Sequence, residues 1–152
     1  MKKLFYVSQC KASNYALDFV EKNNIIVDKS NLTYKPITEK DLLDMEALLP
    51  NGMIELVNPH SEHLKDLGFD IKTLNKKELM YVIIKNPMIL SYPILLETTN
   101  NKNPIKLVIG FNPIEWSIFK DDPTSDRYYS NINKFYKFTK CCFFDETKDR
   151  KM

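Results

Sequence analysis

Leu4-Phe5-Tyr6-Val7-Ser8-Gln9-Cys10-Lys11-Ala12-Ser13 decides the fold of this chain. Lys3–Val7 reads as a short apolar strand, the next residues as a tight turn, and Cys10 as the residue at the mouth of a helix. The helix shows in the spacing of Ala12, Tyr15, Ala16, Phe19 and Val20, which recur at i, i+3, i+4, i+7 and i+8 on one face. A helix N-terminus presents unpaired N–H groups and a partial positive charge. Both favour a thiolate over a thiol, so a cysteine placed there is more acidic than a free one. Redox or nucleophilic chemistry at Cys10 is one reading, and a relic thiol in a scaffold used for binding is the other. The second cysteine of a C-x-x-C pair is absent, because Ser13 stands in its place.

Outward from this segment, Ile25-Ile26-Val27 is short and β-branched and predicts a buried strand. A strand, a helix and a strand in so few residues form a βαβ unit with parallel strands. Thr38 with Asp41 opens a helix that runs through Leu48, and Pro50-Asn51-Gly52 makes a turn. Two short helices follow over 53–57 and 61–67, and Asn75 with Glu78 starts another with Leu79, Val82 and Ile83 facing inward. Residues 93–96 and 105–109 are two strands of a hairpin joined through the polar 100–103 turn, and Asn112-Pro113 opens a terminal helix. The order β-α-β, helices, β-β-α predicts an α/β, thioredoxin-like four-stranded mixed sheet with a helical insertion over about 38–90. The domain spans 1–120, and an aromatic and lysine-rich extension occupies 121–152. Such a fold sets the loop after the first strand beside the proline that opens the third. Tyr92-Pro93 is therefore expected as a cis peptide facing Cys10.

Composition narrows the function. A formal net charge of +2, with both signs mixed along the chain, gives no electrostatic footprint for nucleic acid. The basic residues are nearly all lysine, and no arginine precedes Arg127, so a bidentate oxyanion clamp is missing from the domain. Three cysteines, Cys10, Cys141 and Cys142, do not make the framework of a disulfide-rich domain. The start through Phe5 briefly resembles a signal peptide, but Ser8-Gln9-Cys10-Lys11 breaks its apolar stretch. No run approaches the length of a membrane span, so a soluble cytoplasmic protein without membrane contact is expected. No cofactor is expected.

Three further groups have a sharp and a bland reading. His60 and His63, with Glu55, Glu62 and Asp66 nearby, suit a solvated helix face better than a metal site, so no metal is expected. Cys141 and Cys142 read as two buried or semi-buried thiols in aromatic surroundings. The tail aromatics interleaved with Lys134, Lys137 and Lys140 suggest an extra helix or strand packed on the domain rather than a base-stacking platform. If Cys10 oxidises within the chain, it needs Cys141 or Cys142; a mixed disulfide with a small thiol is the simpler fate.

The start through Cys10, Pro36-Ile37-Thr38, Pro50-Asn51-Gly52, Leu90-Ser91-Tyr92-Pro93-Ile94 and Gly110-Phe111-Asn112 together resemble the Spx/MgsR regulators and their relatives, the glutaredoxin-linked arsenate reductases. The resemblance covers roughly residues 1–120. It implies one of two activities. The reductases use a cysteine nucleophile, here Cys10, with arginines that hold the oxyanion. The Spx branch binds the C-terminal domain of the RNA polymerase alpha subunit, reads no DNA sequence of its own, and senses thiol stress through a C-x-x-C pair. A glycine that branch needs for its polymerase contact matches Gly52, which makes Leu49, Met53 and Glu55 its expected neighbours in the docking patch. Two arginines of the family are replaced, one by Tyr92 before Pro93 and one by His60 before Ser61, and Ser13 leaves a C-x-x-S site. A regulator rather than an enzyme is therefore expected. A thiol-dependent reductase is the alternative.

Overall fold

The first strand, β1 (Lys2–Tyr6), is paired on both sides, which fixes everything built around it. The structure is a computed structural model that describes residues 1–116 and 134–137. After β1 come α1 (Lys11–Lys22), β2 (Asp28–Asn31), α2 (Glu39–Glu46), α3 (Glu62–Lys65) and α4 (Lys76–Lys85). Then follow β3 (Ile94–Thr98), β4 (Pro104–Ile109), α5 (Pro113–Trp116) and β5 (Lys134–Lys137). Single 3-10 turns at Met53–Leu56, Ile71–Thr73 and Pro87–Ile89 join the helices of the insertion.

The sheet order is β2-β1-β3-β4-β5. β1 and β2 are parallel, β1/β3 and β3/β4 antiparallel, and β4/β5 parallel. The thioredoxin-like mixed sheet with a helical insertion is thus present, and the extension adds a fifth strand beside the expected four. Tyr92-Pro93 is cis, as the fold requires.

Both faces of the sheet are covered, and the strands show it residue by residue. Phe5, Ile94, Leu96, Leu107 and Ile109 enter a large cluster with Leu42, Met45, Leu56 and Ile83 of the insertion. Their neighbours Leu4, Leu95 and Val108 enter a second cluster with Ala16 and Val20 of α1 and with Phe111 and Trp116. Side chains alternate across a strand, so an uninterrupted apolar run such as Ile94-Leu95-Leu96 marks a strand buried on both sides.

Helix starts follow the capping chemistry of the sequence. The Asp41 N–H donates to Thr38 Oγ1 at 3.1 Å, while the Asp41 carboxylate takes Lys3 Nζ at 3.1 Å. Asn75 and Glu78 form a full capping box: the Glu78 N–H donates to Asn75 Oδ1 at 2.8 Å and the Asn75 N–H donates to Glu78 Oε1 at 2.9 Å. Asn75→Ala should cost about 1 kcal/mol in urea unfolding, with an unchanged denaturant slope.

One strand is displaced from its expected place. Ile25-Ile26-Val27 precedes β2, and the strand itself is the polar Asp28-Lys29-Ser30-Asn31. Ile25 and Val27 are half-buried against the second cluster, whereas Ile26 is 90% exposed. An edge strand carries few core contacts, so backbone pairing from Lys3↔Asp28 to Tyr6↔Asn31 sets the register there, not the apolar pattern.

Candidate functional site

β1 delivers the chain through Gln9, at φ 58°, to Cys10, which is the N-cap of α1. Its Sγ accepts the Ser13 N–H at 3.4 Å, so position 13, where a C-x-x-C pair would carry its second cysteine, supplies a backbone donor to the sulfur. No acidic residue lies in the first turn of α1, so no side chain of that turn offsets the positive end of the helix. Cys10 is 2% exposed and is disulfide-bonded. The Ser13 N–H and the N-terminal end of α1 both favour a thiolate over a thiol at this sulfur.

Strand register places Tyr92 and Pro93 at the same end of the sheet. Phe5 pairs with Ile94, so the residues before Ile94 and those after Tyr6 emerge together. Tyr92 is fully buried and donates its hydroxyl to the Pro87 carbonyl at 2.6 Å. The single hydroxyl proton is committed there, so Tyr92 cannot replace an arginine as an oxyanion donor. Burial pushes its phenol far above the ordinary tyrosine range. The folded state therefore keeps a proton that the unfolded chain loses near about pH 10, and the stability tied to this group falls as pH rises past that point. Tyr92→Phe should lose stability at neutral pH yet show a flatter decline between about pH 9 and about pH 11. Urea titrations of both proteins across that range check this.

The second candidate region is the turn after α2. The Gly52 N–H donates to the Leu49 carbonyl at 3.3 Å, and the Glu55 N–H donates to the Gly52 carbonyl at 3.1 Å. The Glu55 carboxylate accepts the Asn51 N–H at 2.9 Å and closes the turn. Gly52 adopts φ 86° and ψ −173°, a conformation essentially confined to glycine, and a Cβ built on it meets nothing within 4 Å. The turn therefore presents a bare backbone outward.

Leu49 and Met53 do not belong to that outer surface. They are 7% and 3% exposed and pack in the main core, where they pin the turn from below. The expectation of an exposed apolar patch around Gly52 is corrected accordingly: Pro50 and Asn51 form the outward face, with Gly52 and Glu55 half-exposed beside them. The sequence signal for this was available, since two apolar residues flanking a Pro-Asn-Gly turn more often anchor it than decorate it.

His60 and His63 are exposed, as a solvated face requires, and among the described residues no cluster of three metal-ligating side chains occurs. Among the described residues no helix is long and apolar enough to cross a membrane. Cys141 and Cys142, read from sequence as buried thiols, lie outside the described residues. Asn58 was not singled out by the sequence. It is buried, accepts the His60 N–H at 3.0 Å, and donates its own N–H to the Ile89 carbonyl at 2.8 Å, joining the insertion to the strand-opening segment.

The model of the ArsC family matches residues 5–119. The global transcriptional regulator Spx of Streptococcus pneumoniae is 26% identical over 119 residues, covering 78% of this chain and 85% of that protein. The Spx regulator of Streptococcus mutans is 27% identical over the same length, covering 78% and 82%. Among solved structures, the YFFB protein aligns over 80% of this chain and all of its own, with a TM-score of 0.63 at 15% identity. An arsenate reductase from Vibrio cholerae covers 68% and 86%, with a TM-score of 0.53 at 18% identity. The structural likenesses establish the fold.

Proposed function

Since the chain belongs to the ArsC family, we propose that it is a transcriptional regulator of the Spx kind, which docks on the C-terminal domain of the RNA polymerase alpha subunit in the cytoplasm. The docking element is the turn at Gly52, and it needs neither a cofactor nor DNA contacts of its own. The observation that carries this reading is the turn itself: a glycine-only backbone, open on its outer side, locked by Glu55 and anchored by Leu49 and Met53. A partner backbone can approach such a surface closely, and rigidity beforehand lowers the cost of binding. Cys10 then serves as a redox-sensing thiol.

The reductase alternative draws on the same Cys10 at the N-terminus of α1. Against it, the described residues contain no arginine, since none precedes Arg127, and the Tyr92 hydroxyl is spent on the Pro87 carbonyl. Calorimetric titration of the full chain into the isolated alpha C-terminal domain tests the choice. Saturable binding, with no glutathione-dependent arsenate turnover, is the expected result. Absence of binding, or turnover that disappears in Cys10→Ser, would reverse the ranking.

A further inference from the structure

Three consecutive carbonyls stand just ahead of Tyr92-Pro93, and each takes a hydrogen bond from a different residue. The Pro87 carbonyl takes the Tyr92 hydroxyl at 2.6 Å, the Met88 carbonyl takes the Ser61 hydroxyl at 3.1 Å, and the Ile89 carbonyl takes the Asn58 N–H at 2.8 Å. Two of those donors come from one short turn, Asn58-Pro59-His60-Ser61. We infer that this turn is a positioning element for Cys10: through Asn58 and Ser61 it sets the Pro87–Ile89 turn, and with it Tyr92-Pro93, at the end of the sheet where β1 delivers the thiol. The inference rests on the reading of Cys10 as a working thiol and is independent of any docking on polymerase.

The turn is stiff before it meets its partner. The Ser61 N–H donates to the Asn58 carbonyl at 3.1 Å across Pro59, and Asn58 Oδ1 accepts the His60 N–H at 3.0 Å. Proline presets the backbone of such a turn, and an asparagine side chain bonded two residues on closes it. Asn58 is 4% exposed and Ser61 0%, which keeps water from competing for their bonds. The contact continues toward the site: Val57 bridges Leu90, and the Ser91 N–H donates to the Leu56 carbonyl at 2.8 Å. Cys10, Val57, Leu90 and Tyr92 all pack in the main cluster. Close-packed interiors transmit a shift rather than absorb it, so a displaced 58–61 turn displaces Tyr92-Pro93.

Asn58 also carries a penalty that stability alone does not explain. Its Nδ2 is buried and has no hydrogen-bond partner among the described residues. A buried donor left unpaired is destabilising, and an apolar side chain of similar size avoids the loss. What the amide supplies is Oδ1, which shapes the turn and brings Ser61 to the Met88 carbonyl. Position and stability therefore separate at this residue, and that separation makes the role measurable. Cys10 is 2% exposed, so a reagent reaches its sulfur only as fast as the packing around it opens.

The test is the rate at which iodoacetamide alkylates Cys10 in the full, reduced chain, read on tryptic peptide 4–11. It is run between about pH 6 and about pH 10, with urea unfolding of each variant alongside. Asn58→Leu should keep its folding stability yet raise the Cys10 rate at least about threefold. The midpoint of its pH profile should not move, because the Ser13 N–H and the end of α1 still hold the sulfur. Ser61→Ala should raise the rate more than Asn75→Ala, whose capping box lies at the start of α4. Rates equal to wild type in both Asn58→Leu and Ser61→Ala would overturn the inference. So would rates that follow only the stability lost in urea, with Asn75→Ala on the same line. A wild-type midpoint at or above about pH 8.5, the free-thiol value, would instead remove the thiol reading beneath it.

Discussion

Trp116→Ala is expected to destabilise the protein by about 3–5 kcal/mol, the largest effect of any single substitution considered. Trp116 is fully buried and lies on α5. Its ring meets Phe111 at 5.1 Å and Phe19 at 6.1 Å between centroids, and Phe19 meets Phe111 at 5.7 Å, all edge to face. Such pairs add about 0.5–1.5 kcal/mol each beyond the area they bury. The indole N–H donates to the Gly110 carbonyl at 3.2 Å, so truncation also leaves a buried acceptor short of its partner. This trio fastens α5 and α1 onto one face of the sheet. Because the chain has a single tryptophan, wild-type fluorescence reports this cluster directly. Unfolding of the variant is followed by circular dichroism instead. A loss under about 1 kcal/mol would show that the second cluster is not a structural keystone.

Gly52→Arg is expected to weaken binding to the alpha C-terminal domain by at least about thirtyfold, the size of a hot-spot loss near 2 kcal/mol. The substitution has a second effect that must be separated from the first. At φ 86° any side chain strains the backbone, even though the space around a Cβ is open. That strain is of order 1–3 kcal/mol and depends on the Cβ rather than on the length of the side chain. Gly52→Ala therefore serves as the paired control: both variants should lose similar folding stability, while arginine alone projects bulk and charge into the docking face. Titrations of the two variants, run well below their unfolding temperatures, separate the effects. Equal affinities for alanine and arginine would remove the turn from the interface.

Much of this architecture was legible because local chemistry and global pattern agreed. The β1–Cys10–α1 passage, the Asn75 capping box and the 94–96 apolar run each state their structure in a few residues. Legibility failed where packing, not propensity, decides. Ile25-Ile26-Val27 looks like a strand by composition, but its first and third residues anchor a connection while the polar tetrapeptide after it forms the ladder. Leu49 and Met53 were placed at the docking surface by their nearness to Gly52, and only three-dimensional burial shows them turned inward. Lys134–Lys137 carries no alternating pattern of its own, and its partner strand lies about 30 residues back, a pairing that periodicity cannot announce.

That last strand has a protective consequence. β4 is the sheet's Ile-Lys-Leu-Val-Ile segment, and β5 occupies the side of it that faces away from β3. Remove Lys134–Lys137 by proteolysis or truncation and a β-prone, strongly apolar ladder is left with unsatisfied amides along its rim. Such a rim templates addition of a neighbour's strand. The opposite rim needs no such cover, because Asp28 and Lys29 make β2 a poor template. Clipping ahead of residue 134 would thus turn a well-behaved chain into one that seeds its own precipitation.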